Sequence, residues 1–321
     1  MSLTITIPQA GDAFALRAID QTVPEPAAGE VRLRQRVIGV NFVDIYFRSG
    51  VYPLPQPDAV PGFEAAGVIE RIGAGVSGWR VGERVAYMGA PMGAYAEVRN
   101  VAASQLVRLP DNVSDVVAGS SMLRGLTVHM LLRQVYAVQP DDWVLVHAAA
   151  GGVGQLLTRW ATRLGARVIG TVSSTAKAEI AAAAGAHSVL LHSQSDWPAQ
   201  VRDLTDGLGV HLAVDGIGGA VLQQTFAAMR PFGVLANIGQ AGGAVPPVDI
   251  AKMGPILLGK PSVLKYVNNP AWYAAGTAEL LTELASGLLN PVGSQFKLAD
   301  AASAHQQLEA GKTTGSVILT V

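Results

Sequence analysis

Two textures of apolar and polar positions divide the chain. Up to about residue 120, apolar and polar residues alternate in short runs, over 14–19, 31–40, 65–72, 84–87 and 94–98. A period of two marks strands with one buried face. Pro24, Pro26, Gly29, Pro61, Gly62, Gly73, Gly75, Gly78 and Gly82 punctuate the runs. Many short strands with regular turn signals predict a small barrel. Residues 41–53 break the alternation and carry Tyr46, Arg48 and Tyr52 within a short span.

From about Ser121 the texture changes to helix alternating with strand. Residues 122–135 are apolar at helical spacing, and the apolar run 143–146 reads as a fully buried parallel strand. The turn Ala149-Ala150-Gly151-Gly152-Val153-Gly154 follows. After it Val153, Leu156, Leu157, Trp160, Ala161 and Leu164 form one apolar helix face. Gly165 stands where a helix-ending glycine belongs, and residues 167–172 read as the next strand. Strands at 188–191, 210–214 and 234–238, with 263–266 as a sixth, are separated by helices near 197–204 and 221–229. That order predicts an α/β fold whose second part is a doubly wound parallel sheet. Past about Pro261 come a helix at 272–286, a helix capped by Asp300, and a closing strand at 316–321. This last strand has no place in the parallel sheet and is expected to return to the first domain.

Strand, glycine turn, helix, strand is the dinucleotide-binding order. The glycines allow a tight turn and a close approach to a pyrophosphate, whose charge sits at the helix N-terminus. Ala149 occupies the first glycine position of GxGxxG. Sites for NAD place an acid at the end of the second strand to read the ribose 2′-hydroxyl. Here that strand runs into Ser173 and Ser174, with Lys177 just beyond. Hydroxyls and a lysine favour a 2′-phosphate, hence NADPH; the plainer reading is a helix cap and a solvated charge. His192, Asp215 and the Asn237–Gln240 turn close later strands, where the cofactor crevice of an open sheet lies. His192 by itself reads more readily as a solvated or capping residue than as a ligand contact. His147 is expected to be a satisfied core histidine, and Asp141 and Asp142 surface charges.

Composition narrows the chemistry. The 321 residues are 50% hydrophobic and 15% charged, with net charge −1. A large core is possible, and the balance argues against nucleic acid as a partner. The absence of cysteine removes disulfides, thiolate catalysis and cysteine-ligated zinc. The six histidines show no HxH or HxxxH spacing, and no GxSxG elbow occurs. Hydride transfer remains, because the cofactor carries that chemistry. With neither a signal-peptide pattern nor a membrane-spanning run of apolar residues, a soluble cytoplasmic protein is expected.

Four stretches closely resemble the zinc-free quinone oxidoreductases of the medium-chain dehydrogenase/reductase superfamily: NFVDIYFRSGVYP from Asn41, PGFEAAG from Pro61, GLT from Gly125 and HAAAGGVG from His147. The zinc-dependent alcohol dehydrogenases of that superfamily carry a cysteine near the position of Asn41, and a His-Glu pair at Phe63-Glu64. The resemblance implies a GroES-like barrel domain from residues 1–121 and 262–321, and a Rossmann nucleotide domain from 122–261. It implies NADPH contacts at Asn41, Tyr52, Thr127, Gly151, Gly152, Val153, Gly154, Ser173, Lys177, His192, Gly239, Gln240, Leu264 and Tyr266. Lys312 stands beside Gly311, near which bacterial relatives have an arginine for the 2′-phosphate. Asn41, Tyr46, Arg48 and Tyr52 would line a substrate cleft beside the nicotinamide; their plainer reading is a loop packed on the barrel. A homodimer through a sheet edge near 263–266 is also implied. The expected activity is metal-free hydride transfer from NADPH to a quinone. Reduction of activated C=C bonds, in enones or alkenals, and NADPH binding without turnover are the alternatives.

Overall fold

The structure is a computed structural model describing residues 1–194 and 196–321. Strands β1 (Ser2–Thr6), β2 (Arg17–Gln21) and β3 (Glu30–Val40) precede a short helix, α1 (Phe42–Arg48). Then come β4 (Glu64–Ile72), β5 (Arg84–Met88), β6 (Val98–Ala102) and β7 (Leu106–Arg108). Helix α2 (Asp115–His129) runs on into a π-helical turn, Met130–Val135. Helix and strand then alternate through β8 (Trp143–His147), α3 (Gly152–Arg163), β9 (Arg167–Val172), α4 (Thr175–Ala183) and β10 (Ser188–Leu191). They continue through α5 (Trp197–Leu204), β11 (Val210–Asp215), α6 (Gly219–Thr225), β12 (Met229–Asn237), α7 (Ile250–Met253) and β13 (Leu257–Gly259). Last come α8 (Val263–Tyr266), α9 (Pro270–Ala285), β14 (Val292–Lys297), α10 (Ala301–Glu309) and β15 (Ser316–Thr320).

The chain forms two compact units, Met1–Leu126 with Leu264–Val321, and Thr127–Val263. In the first, a seven-stranded sheet has the order β14-β15-β3-β4-β5-β7, with β6 also on β3. The alternation in residues 31–40 turns Val31, Leu33, Ile38 and Val40 onto a core shared with Ala65, Ile69, Val85, Tyr87, Val317 and Leu319. The late strand β15 does return here: it pairs antiparallel with β3, Val317 opposite Val40, and parallel with β14. Runs 14–19 and 94–98 are weaker strands than their pattern suggests. The Asp12 carboxylate accepts the Phe14 N–H and starts a 3₁₀ turn at Ala13–Ala15, so strand begins only at Arg17, while residues 94–97 make one isolated bridge, Thr4 to Ala96, before β6 begins at Val98.

The second unit is a parallel six-stranded sheet, β10-β9-β8-β11-β12-β13. The order reverses direction at β8, and β8 is apolar because both its faces are covered. Trp160, Leu156 and Leu157 bury the predicted face of α3. Gly165 follows the helix at φ 87°, a conformation that favours glycine. The sixth strand is Leu257–Gly259, not 263–266: Pro261 has no N–H for a ladder, and Val263–Tyr266 coils into one helical turn. No helix among the described residues is long and apolar enough to cross a membrane.

Candidate functional site

In the second unit, β8 ends at a backbone turn that prepares α3. Ala148 takes φ 50°, and the Gly151 N–H bonds the Ala148 carbonyl at 2.9 Å. Gly151 is the N-cap of α3 and has no side chain to cap it. The first N–H groups of the helix therefore keep their donors for an outside acceptor. Gly154 is required by close approach, since a Cβ there would press on the Ala148 carbonyl oxygen and sit 2.7 Å from the Ala149 Cα. Gln155 closes the turn by donating to the Ala150 carbonyl at 2.9 Å.

At the end of β9, Ser173 is exposed and Ser174 caps α4, accepting the Lys177 N–H at 3.4 Å. The Lys177 ammonium lies 3.3 Å from the Ser173 hydroxyl. Both readings of this segment thus coexist: Ser174 is a cap, while Ser173 and Lys177 put a hydroxyl and a cation where NAD sites put an acid.

His192 is half-buried and tied into the sheet. Its Nε2 lies 2.6 Å from the Thr171 hydroxyl, which lies 2.7 Å from His147 Nδ1; His147 Nε2 is 2.9 Å from Thr225 Oγ1. His147 is the satisfied core histidine its position implies, and burial, with His192 as a smaller cause, takes its pKa down to about 3. Asp215, buried at the end of β11, accepts the N–H groups of Ile217 and Gly218 and the Asn237 amide. Asn237 also donates to the Gly239 carbonyl at 2.8 Å, which fixes the turn carrying Gly239 and Gln240. Thr127 is buried in α2. Asp142 is not a surface charge: it is buried and accepts the Gln139 N–H at 2.8 Å.

In the first unit, residues 41–53 fold as α1 and an aromatic cluster. The Tyr46 and Tyr52 rings meet edge to face at 5.3 Å, and Phe47 contacts both Tyr52 and Phe63. Asn41 starts α1, and its amide donates to Glu64 Oε1 at 2.7 Å. Arg48 differs from expectation. Its side chain is 1% exposed and turned inward, holding both Glu309 oxygens at 2.8 and 2.9 Å; a guanidinium so engaged does not line an open cleft. Tyr266 is buried, stacked on Trp272 at 5.6 Å and donating to its carbonyl. Leu264 is half-buried on α8, and Lys312 is exposed beyond α10.

Sequence reasoning missed Asp44, Arg124, Tyr95 and His305, all buried polar groups in this unit. Only Asp44 left a signal. It stands three residues after Asn41 and accepts its N–H at 2.8 Å, the return half of a capping box. The others pair across long sequence separations that no local pattern records.

Residues 27–111 match the alcohol dehydrogenase GroES-like domain, and residues 152–281 match the zinc-binding dehydrogenase family. A quinone oxidoreductase of Pseudomonas aeruginosa is 38% identical, over 96% of this chain and 96% of that protein. The chain belongs to the quinone oxidoreductases of the medium-chain dehydrogenase/reductase superfamily. A 2-haloacrylate reductase of a Burkholderia species is 40% identical over 92% of each chain. The solved structure of the Escherichia coli quinone oxidoreductase complexed with NADPH superposes with TM-score 0.96 at 34% identity, covering 99% of this chain and all of that one. Zinc does not fit the residues present in this family member. Phe63 precedes Glu64, the chain has no cysteine, and no group of three or more His, Asp or Glu among the described residues could hold a metal.

Proposed function

We propose that this chain is an NADPH-dependent quinone oxidoreductase of the cytoplasm. The observation that carries the cofactor is the Ser173–Lys177 pair at the end of β9, beside a glycine turn with uncapped helix N–H groups. Bound NADPH supplies the hydride. The diphosphate would take the N–H groups at Gly152, Val153 and Gly154, and Lys177 with Ser173 would take the 2′-phosphate. Lys312 adds a second cation for that phosphate. Thr127, His192, Gly239, Gln240, Leu264 and Tyr266 complete the contacts proposed for the cofactor.

On the acceptor side, Tyr46 and Tyr52 offer flat aromatic faces to a planar quinone. One Asn41 amide N–H is held by Glu64, and the second can donate to an oxygen gaining charge. No strong general acid is needed, because a hydroquinone anion is a stable product that water can protonate. A panel of quinones with NADPH, and with NADH as control, tests the reading. NADPH oxidation with none of the quinones would overturn it.

A second reading, reduction of an activated C=C bond, is supported by the 40% identity to the 2-haloacrylate reductase. Including enones and 2-haloacrylate in the same panel ranks the two by kcat/KM, while tight NADPH binding without turnover of any acceptor would leave a binding protein. We also propose a homodimer. Its contact would run through β13, an edge strand of the parallel sheet, where Leu257 is 58% exposed; Phe232 of β12 and Ile250 of α7 are each 79% exposed. Light scattering of wild type and Leu257→Glu tests it; a monomeric wild type refutes it.

A further inference from the structure

In the first unit, Asp44 of α1, Tyr95 and His305 of α10 are three buried polar side chains joined by hydrogen bonds. Asp44, Tyr95 and His305 are each 0% exposed. The Tyr95 hydroxyl lies 3.2 Å from Asp44 Oδ2 and 2.9 Å from His305 Nε2. A phenol has one proton, so it donates to one neighbour and accepts from the other. Two arrangements satisfy this. With Asp44 ionised, the carboxylate can only accept; Tyr95 donates to it and accepts the His305 Nε2–H, leaving Nδ1 bare. With Asp44 protonated on Oδ2, the carboxyl donates to Tyr95, Tyr95 donates to Nε2, and the imidazole carries its proton on Nδ1. The ring is neutral in both.

We propose that Asp44, Tyr95 and His305 form a proton wire. A proton arriving at His305 Nδ1 releases the Nε2 proton to the Tyr95 oxygen, and the Tyr95 proton passes to Asp44 Oδ2. The imidazole gains a proton at Nδ1 as it gives one up at Nε2, the Tyr95 oxygen gains one as it gives one up, and Asp44, which only gains one, alone changes charge. The energetics agree with that end state. Burial, with Arg48 as a smaller cause, takes the His305 pKa down to about 3, so an imidazolium does not compete. Burial takes the Asp44 pKa up to about 7; the Asn41 N–H opposes this, Glu64 adds to it, and Tyr95 and Arg124 oppose it.

Both ends of the wire lead somewhere. Asp44 Oδ2 also accepts the backbone N–H of Asn41, which begins the proposed acceptor site. At the other end stands Arg48, paired with the Glu309 side chain, which is 44% exposed. Among the described residues His305 Nδ1 and Arg48 Nε and Nη1 have no hydrogen-bond partner, and such groups are commonly joined by a buried water. That would connect Nδ1 to the Glu309 surface. Resting on the quinone reading, the wire would neutralise Asp44 beside Asn41, next to the oxygen on which charge gathers.

Nitrogen-15 spectra of the histidine-labelled resting enzyme, from about pH 5 to about pH 9, read the tautomer directly. The wire requires a neutral His305 throughout, Nε2–H at high pH and Nδ1–H at low pH, with the exchange centred at the Asp44 pKa. Asp44→Asn and Tyr95→Phe should each abolish the exchange, so one variant suffices if the other fails to fold. A single tautomer across the range, or an imidazolium below pH about 6, overturns the wire. No acceptor is present in this measurement, so it stands apart from the quinone assignment. For that neutralising role during turnover, Tyr95→Phe should lower kcat several-fold with the NADPH KM unchanged, and an unchanged kcat would refute it.

Discussion

Arg124 Nη1 lies 3.3 Å from Glu64 Oε1, with the side chains 5% and 0% exposed. The guanidinium also donates to the Val40 and Ser120 carbonyls, and Glu64 accepts the Leu123 N–H at 2.7 Å. Burial raises the Glu64 pKa, and Arg124 is the largest influence opposing it. Arg124→Met should therefore cost about 3–5 kcal/mol, the usual penalty for leaving one partner of a buried pair alone. The loss should depend on pH. A carboxyl whose folded pKa lies above its unfolded one is no burden below the unfolded pKa, and the penalty appears as pH rises through the folded value. Urea unfolding at acidic and neutral pH measures this, and a pH-independent loss would show that Glu64 is not left charged.

The tight approach at Gly154 leads to a second expectation. Gly154→Val should weaken NADPH binding by about tenfold or more, the equivalent of about 1.4 kcal/mol, because the N-terminus of α3 must move away from Ala148. Calorimetric titration reads it, and unchanged affinity would remove the turn from the cofactor site.

Lys177→Ala combined with Ser173→Asp should exchange cofactor preference. The cation and hydroxyl that favour a 2′-phosphate are replaced by an acid that favours a 2′-hydroxyl. NADPH should bind about 10–100-fold more weakly, by the energy of one or two charge-assisted hydrogen bonds, with NADH improved. Affinities for both cofactors decide it, and a preference that does not change would return these residues to a capping role alone.

How much of this could be read from the sequence depends on the range over which each residue acts. The β8 to β9 unit was legible because its signals are local: an apolar run, a glycine turn and a face at helical spacing lie within about thirty residues, the usual size of a βαβ unit. Residues 263–266 misled because a short apolar stretch has no period of its own. Pro261 beside it favoured Leu257–Gly259 as the edge strand. Arg48 looked like a cleft residue because its partner, Glu309, is distant in sequence. Tyr95 and His305 were invisible for the same reason. Local propensity places elements, whereas buried polar pairs are made by tertiary folding.

Asp44 predicts a pH signature in stability. Its folded pKa of about 7 exceeds the ordinary carboxyl value, so its protonated form stabilises the fold fully below the unfolded pKa, and that contribution is lost as pH rises toward 7. Asp44→Asn removes the titration. The stability difference between wild type and variant should shift in favour of wild type by about 2–3 kcal/mol between pH 8 and pH 5, at about 1.4 kcal/mol per pH unit. Paired urea melts at those pH values test it, and parallel curves would mean that Asp44 is not perturbed.

Strand β15 has one further implication, for biosynthesis. It docks beside β3, yet the ribosome makes it only after all of Thr127–Val263 has been built. The contiguous parallel-sheet unit can fold as it emerges, but the Val37–Val40 end of β3, beyond its pairing with β6, must wait with one flank open, and the seven-stranded sheet is completed last. Nascent chains stalled before Ser316 should therefore expose that flank to chaperones and proteases.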